Sequence, residues 1–234
     1  MKAEIVCALI EAMGTILAAA IGVGWLGKIV KKNMDTYFFS YSDTKHDLHK
    51  IMRRAKNSLT IVAAYGDRLL ESYGNEIESY LKRGIQVEYL MLDREHAFSL
   101  DRDYYQKKEQ ETAEALDRTL RKLEKLSQYE NLQIRESNLF LSASYIGVDL
   151  YEPLEKRGVS PVIQVMIYQF GIRTPQSPIT YLFPDANPRQ FETTAECIQK
   201  MWEHGKPLDI KQYRKSLTEF LTPGTVIAAF EQKT

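Results

Sequence analysis

The amino-acid sequence predicts a mixed α/β domain that follows one apolar, membrane-spanning helix. Two observations support this prediction: an apolar run near the N-terminus, and a later succession of short apolar strands and amphipathic helices. The 234 residues include 44% hydrophobic and 26% charged side chains, a composition typical of globular proteins rather than disordered or fibrous ones. We therefore expect a transmembrane helix with a basic boundary at 1–32, an interfacial linker at 33–42 and one cytoplasmic domain at 43–234.

The N-terminal apolar run has the length of a membrane span. Ile5–Gly27 contains one charged residue, Glu11, and a helix of this length measures roughly 34 Å against a bilayer core of about 30 Å. Trp25 and lysines at 28, 31 and 32 follow, as is typical of a cytoplasmic boundary. The alternatives are a signal peptide cleaved near Ala18–Ala20 and a buried core helix, but the run continues past that cleavage site. We predict a single-pass protein of the inner (cell) membrane.

Glu11 and a stripe of small residues indicate that the predicted span associates with copies of itself. An ionisable side chain within a span costs about 2.5–3.5 kcal/mol, so it usually faces a helix bundle or water. Gly14, Ala18 and Gly22 are spaced four residues apart, which lets helices approach closely. A homo-oligomer, for which we favour a tetramer built as a dimer of dimers, could then enclose a pore, with Glu11 either lining it or lying at its mouth. The alternative is that Glu11 lies at the outer headgroups and that a shorter span begins at Ala12.

The first part of the domain predicts a strand, a helix and a second strand. Ser58–Tyr65 and Ile85–Leu92 are apolar runs of strand length. Between them, Asp67–Arg83 reads as a helix that Gly84 ends. The residues expected to face the core from this helix are Leu69, Leu70, Tyr73, Ile77, Tyr80 and Leu81. A strand, helix and strand in this order predict a parallel pair of strands.

The rest of the domain predicts further helices and strands. A helix begins after Asp43, and a long charged helix extends over Asp101–Tyr129 with leucines at 116, 120, 123 and 126 on one side. Strands are predicted at Leu132–Arg135, Leu139–Tyr151, Val162–Ile172 and Ile179–Phe183, separated by prolines and glycines. Helices follow at Pro188–His204 and in the tail after Pro207. We expect a mixed sheet flanked by helices.

Charge and cysteine content exclude several classes of function. The chain has 31 basic and 31 acidic residues, and because lysines predominate in the first 34 residues, the remainder is slightly acidic. The domain therefore lacks the positive excess typical of nucleic-acid-binding proteins. Cys7 and Cys197 are too few and too far apart for a disulfide framework, and no metal-finger spacing occurs. We expect no metal and no cofactor.

The order of these elements resembles the phospholipase D-like fold, in the single-half form found in bacterial sensor and regulator proteins. The matching stretches are AKNSLTIVAAY at 55–65, LKRGIQVEYLMLD at 81–93, SASYIGVDLY at 142–151 and FExxAExIxxMW at 191–202. In active members, the motif HxKx4D supplies a histidine nucleophile, a phosphate-binding lysine and an orienting aspartate. Here Ser142 and Ser144 stand at the histidine and lysine positions, and only Asp149 matches.

The resemblance, taken with the serine replacements, implies a domain that binds a phosphate ester and does not cleave it. A serine hydroxyl without a base is a poor nucleophile, and loss of the lysine removes charge stabilisation of the transition state. The candidate ligand contacts are Ser142, Ser144, Asp149, Lys156, Arg157, Asp67 and Asp93. Lys156 and Arg157 follow the motif, and the last two residues follow the parallel strands, where ligands of open α/β sheets bind. These four residues could equally be loop, cap or turn residues.

Three functions are compatible with the sequence. The first is a membrane effector, in which the non-catalytic domain binds a nucleotide or short oligonucleotide and gates an oligomeric transmembrane pore. This arrangement resembles the membrane effectors of bacterial antiphage systems, where a partner nucleotidyltransferase makes the signal. The second is a membrane-tethered phosphodiesterase or nuclease that uses Asp149, Ser142 and a histidine from elsewhere. The third is a membrane-anchored dimeric scaffold. Glu11, the small-residue stripe and the replaced motif favour the first.

Overall fold

Within the described residues, eight strands form one mixed sheet in the computed structural model of the protein. The structure describes residues 39–40, 48–151, 161–172 and 176–221. The strands are β1 (Phe39–Ser40), β2 (Ser58–Ala63), β3 (Gln86–Leu92), β4 (Leu132–Ser137), β5 (Ala143–Val148), β6 (Val162–Ile167), β7 (Pro178–Leu182) and β8 (Lys206–Pro207). The helices are α1 (48–52 of the described residues), α2 (Asp67–Lys82), α3 (Arg94–Tyr105), α4 (Glu109–Leu126), α5 (Pro188–His204) and α6 (Ile210–Leu221). The predicted mixed α/β class is confirmed.

The sheet has a parallel centre and antiparallel flanks. Its strand order is β1-β7-β6-β5-β2-β3-β4-β8. β2, β3 and β4 are parallel to one another, and every other neighbouring pair is antiparallel. The parallel pair β2 and β3 confirms the prediction from the strand–helix–strand order, because a parallel connection needs a crossover and α2 supplies it. Since β5 runs antiparallel to β2, the beginning of β5 lies beside the end of β2.

The hydrophobic core lies against the central strands. Ile61 in β2 and Leu90 in β3 are 0% exposed, as expected for parallel strands covered on both faces. The six α2 residues predicted to face the core are all buried, and so are the four leucines of α4. Both helices therefore bury the stripes that their helical spacing predicted.

The long charged helix predicted over Asp101–Tyr129 is wrong, because the chain breaks it into α3 and α4. Gln106 adopts a left-handed conformation with φ 52°, and the backbone N–H of Lys107 donates to the Asp101 carbonyl at 3.1 Å. The Lys107 ammonium also turns inward onto the Asp101 carboxylate, at 3.0 Å. The sequence does not reveal this break, because the helical periodicity continues through it. The charges that stabilise the break also resemble those of a solvated helix face.

Two strands are shorter than predicted. β5 begins at Ala143 and ends at Val148, since Asp149 takes a positive φ of 51° that interrupts the extended backbone. β6 ends at Ile167, and the chain turns at Gly171, which has a φ of 72°. Two residues of the segment predicted as a linker, Phe39 and Ser40, form edge strand β1 and pair with β7.

The predicted anchor at 1–32, with Glu11, Gly14, Ala18 and Gly22, lies outside the described residues. None of the helices within the described part of the chain combines the length and the apolarity that a membrane crossing requires.

Candidate functional site

A cavity of about 270 Å³ lies where β2 ends and α2 begins. Its walls come from four segments: the turn after β2, the beginning of β5, the end of β6 and the connection between α3 and α4. Side chains alternate between the two faces of a strand, so Ser144 and Ile146 of β5 share a face with Gln164 of β6, which pairs with Ile146. The cavity is therefore bounded by one face of the sheet and by the helices that cover it.

The turn between β2 and α2 depends on Gly66. This residue has a φ of 73°, which strains any residue with a Cβ atom. A Cβ at this position would also collide with the Tyr89 hydroxyl, which donates to the Tyr65 carbonyl at 2.7 Å. Gly66 is the N-cap of α2 and offers no side-chain acceptor. The first turn of α2 lines the cavity, and a helix N-terminus carries a partial positive charge.

A buried ion pair forms one side of the cavity. Asp101 is 1% exposed and accepts hydrogen bonds from the Tyr65 hydroxyl at 2.8 Å and the Thr112 hydroxyl at 2.8 Å. The Lys107 ammonium lies 3.0 Å from Asp101 and donates to the Tyr65 hydroxyl at 2.6 Å. It also lies 5.4 Å and 5.2 Å from the ring centroids of Tyr65 and Tyr105, within the range of cation–π attraction. The carboxylate is therefore fully paired, as a buried charge requires.

The cavity tyrosines are neutral at physiological pH. Burial raises the pKa of the Tyr65 phenol well above its ordinary value, and the negative charge of Asp101 raises it further. Burial likewise raises the pKa of Tyr105, and it raises the pKa of Tyr168 to about 12. These side chains can stack and form hydrogen bonds, but none is poised as a phenolate nucleophile or base.

Two residues that line the cavity each have a side-chain polar atom without a hydrogen-bond partner among the described residues. These atoms are the side-chain oxygen Oε1 of Gln164 and the hydroxyl of Tyr105, and both are buried. The Tyr168 hydroxyl, by contrast, accepts from the Ala64 amide at 3.1 Å. Buried polar atoms in native proteins are nearly always paired, so an unpaired atom beside a cavity marks a place where a bound molecule can complete the hydrogen bonding.

Of the residues predicted to contact a ligand, the structure brings Ser144 and Asp67 to the cavity. Asp67 begins α2 and lies 3.2 Å from the Arg118 guanidinium of α4, which also lines the cavity. Ser142 is exposed and lies just before β5, where its carbonyl accepts from the Tyr168 amide at 2.9 Å. Lys156 and Arg157 lie outside the described residues.

The other two predicted contacts have structural partners away from the cavity. Asp149 follows the far end of β5, where its carboxylate accepts from the backbone amides of Asn57 and Ser58 at 2.9 Å and 2.8 Å. Asp93 caps α3 and accepts from the His96 amide at 2.9 Å. Ser144 and Asp149 therefore lie toward opposite ends of one strand, which the linear motif does not reveal.

Within the described residues, the cavity contains no histidine. His49 pairs with Glu76, His96 with Asp93 and His204 with the Asn138 side chain. The described part of the chain also contains no cluster of three or more metal-ligating side chains. The arrangement can hold a polar ligand among aromatic and cationic groups, and it offers no described nucleophile of the phospholipase D type.

The sequence prediction missed Tyr65, Lys107 and Gln164. Gln164 had a detectable signal, since it is a single amide within the apolar strand VIQVMI. Lys107 had none, because it lies among many charges in a region predicted as one helix. Tyr65 ends an apolar run, where its aromatic ring alone indicates only core packing.

Comparisons with known proteins assign no family to this chain. No family model matches it, and no curated protein matches it. Among solved structures, that of TrmBL2, described as an archaeal chromatin protein with a novel mode of DNA binding, matches with a TM-score of 0.46 and 11% identity. The match covers 85% of this chain, which spans 66% of the length of that one. This similarity shows neither a shared family nor a shared function.

Proposed function

We propose that the protein is a membrane-anchored effector whose cytoplasmic domain binds a nucleotide in the cavity at the end of β2 and does not cleave it. The observation that supports this proposal is the composition of that cavity. It combines tyrosine rings, the side chains of Arg68 and Lys107, the N-terminus of α2 and buried polar atoms that lack partners.

The two parts of a nucleotide match two kinds of group in the cavity. Tyrosine rings such as Tyr105 and Tyr168 suit a nucleobase, since aromatic stacking accepts any base. Helix N-termini and arginines suit a phosphate, and Arg68 lies in the first turn of α2. The volume of about 270 Å³ is at the small end for ligand sites, which favours a mononucleotide over a longer oligonucleotide.

Binding without cleavage is the chemistry that the residues support. In the proposed degenerate phospholipase D-like domain, Ser144 occupies the lysine position of the motif and lines the cavity. The neutral tyrosines and the paired Asp101 are not activated nucleophiles. A bound phosphate ester would be held by charge and hydrogen bonds without a group to attack it.

The membrane part of the proposal is supported by the sequence of residues 1–32. A homo-oligomer, a tetramer made of two dimers, would assemble through Gly14, Ala18 and Gly22 and place Glu11 in a pore of the inner membrane. Ligand binding would change the equilibrium between closed and open pores only through a difference in affinity for the two states. A partner nucleotidyltransferase would supply the ligand, as in antiphage defence.

The first test is native mass spectrometry of the full-length protein, extracted gently in detergent, with nucleotide analysis of whatever heating releases. We expect a tetramer that carries a nucleotide. A bare monomer or dimer would overturn the pore, and would leave the scaffold or the enzyme as the better hypothesis.

The second test measures binding directly by calorimetry with AMP, GMP, CMP and UMP. Arg68→Gln should weaken binding at least tenfold, because it removes a charged phosphate contact, about 1.4 kcal/mol or more. Arg189→Gln, which removes an exposed arginine of α5 outside the cavity, serves as the matched control and should leave binding unchanged. Absence of nucleotide binding by the unmodified protein would overturn the proposed ligand class.

A further inference from the structure

We infer that Gln164 selects the ligand of the cavity by accepting a hydrogen bond from it, so that the preferred nucleotide has an exocyclic amino group on its base. This inference rests on the proposed function, since it names the chemical class of the nucleotide that the cavity would hold.

The position of Gln164 is the first reason. It lies in the middle of β6, between Ile163 and Val165, and its neighbours across the sheet are Ile146 and Tyr181. Gln164 is 3% exposed, although glutamine is mostly a surface residue. Its side chain lines the cavity, so it lies where a ligand would meet the sheet.

The hydrogen-bonding state of Gln164 is the second reason. Its Oε1 atom is buried and has no partner in the described part of the chain, which is unfavourable for the unliganded protein. An amide oxygen can only accept hydrogen bonds, so the complementary group is a donor. An amino group on adenine, guanine or cytosine is such a donor.

Tyr105 supports the same orientation of the ligand. Tyr105 also lines the cavity, its buried hydroxyl has no partner among the residues that the structure describes, and its ring meets that of Tyr168 edge-on at 6.2 Å. A base placed among these rings would have its polar edge near two groups that need partners. The phosphate would remain near Arg68 and the N-terminus of α2.

We expect Gln164 to discriminate strongly between nucleotides with and without the amino group. A site built around a buried polar group rejects an analogue that lacks the complementary group, because the polar group is then left unpaired. A purely apolar pocket could not make this distinction. The prediction therefore concerns the ratio of affinities between two nucleotides that differ only in the amino group.

The test compares AMP with purine riboside 5′-monophosphate, GMP with IMP, and CMP with its 4-deamino analogue 2-pyrimidinone riboside 5′-monophosphate, by calorimetry on the full-length protein. We expect the unmodified protein to bind at least one amino-bearing member tenfold or more tightly than its partner. Gln164→Met should remove this difference, because methionine has a similar length and no amide. Gln164→Leu provides a second apolar variant in case methionine disturbs packing, and thermal unfolding reports whether each variant is folded.

Thr180→Val is the matched control. Thr180 is also buried, and its hydroxyl also has no partner, but it pairs with Val165 and so lies on the other face of the sheet. This variant should keep the tenfold preference. If the unmodified protein binds nucleotides without any such preference, or if Gln164→Met retains the preference, the inference is wrong and the proposed function stands. If the unmodified protein binds no nucleotide, both are wrong.

Discussion

Asp149 connects the beginning of β2 to the end of β5 through hydrogen bonds. Its carboxylate accepts hydrogen bonds from the amides of Lys56, Asn57 and Ser58, at 3.2 Å, 2.9 Å and 2.8 Å. Its φ of 51° falls in the left-handed region, which aspartate and asparagine enter more easily than most residues. Asp149 is 2% exposed. Its identity is thus explained by the backbone around it, independently of any catalytic motif.

Asp149→Ala should lower the free energy of unfolding by on the order of 3 kcal/mol, because three backbone amides lose a buried, charged acceptor. Asp149→Asn should cost less, since an amide oxygen still accepts and asparagine tolerates positive φ. Urea denaturation of both variants measures the difference, and Asp185→Ala at an exposed turn is the control. An alanine variant of unchanged stability that fails to bind nucleotide would instead make Asp149 a ligand contact.

Gly66 and Gly84 both have a positive φ, so Gly→Ala variants at the two positions can be compared for their loss of unfolding free energy. Their φ values are 73° and 81°. Gly84→Ala meets no atom within 4 Å, so only backbone strain remains, about 1–2 kcal/mol. Gly66→Ala should cost clearly more, because the new Cβ meets the Tyr89 hydroxyl and disturbs its bond to the Tyr65 carbonyl. Chemical denaturation of both variants tests this order, and equal losses would contradict the packing of Tyr89 under the turn.

At the scale of elements, Arg135 of β4 holds the end of α5. Its guanidinium donates to the Trp202 carbonyl at 2.8 Å and lies 4.6 Å from the centroid of the Trp202 ring. The carbonyls at the C-terminal end of a helix lack intrahelical partners, and a cation there also interacts favourably with the helix dipole. One side chain therefore supplies the hydrogen bond, the charge and the stacking that join α5 to β4.

Arg135→Lys should destabilise the protein by about 1–2 kcal/mol, nearly as much as Arg135→Ala, because lysine cannot reproduce the planar fork and the stacking together. Arg121→Lys is the control, since Arg121 is 63% exposed and pairs with Asp117 on its own helix. Thermal and urea unfolding of the three variants provide the comparison. Full rescue by lysine would show that charge alone matters at this position.

Side-chain spacing and the order of elements along the chain predicted part of the fold. The buried stripe of α2 and the parallel pairing of β2 and β3 follow from spacing and chain order. The break at Gln106 does not, because it depends on Lys107 reaching a buried carboxylate. The cavity shows the same division: Asp67 follows a predicted strand, whereas Gln164 reaches the cavity only because β6 pairs with β5, a long-range contact that no local pattern encodes.

At the scale of the whole molecule, buried tyrosines make the fold sensitive to alkaline pH. Burial raises the pKa of Tyr65, Tyr89, Tyr105 and Tyr213 above their ordinary value near 10. It raises the pKa of Tyr168 to about 12. These residues come from β3, α3, α6 and the segments after β2 and β6, so their ionisation opposes packing throughout the domain.

The direction of the pH dependence follows from proton linkage. Above pH 10, a tyrosine in the unfolded chain loses its proton while Tyr168 in the folded chain keeps its own up to about pH 12. The unfolded state then binds fewer protons, so the free energy of unfolding decreases as pH rises. The stabilisation is complete below pH 10, and each such tyrosine loses on the order of 1 kcal/mol of it by pH 11.

Tyr168→Phe should therefore reduce the decrease in the free energy of unfolding between pH 10 and pH 11. At neutral pH, this variant should be less stable by about 1 kcal/mol, because the Ala64 amide loses its acceptor. Urea unfolding at pH 8, 9, 10, 10.5 and 11 measures both effects. Leu217→Ala, at a site 2% exposed in α6, is the control, because it should lower the whole curve without changing its slope. Parallel curves for Tyr168→Phe and the unmodified protein would show that Tyr168 ionises equally in both states. The buried hydroxyl would then have to reach water, and the cavity beside it would be open to solvent at high pH.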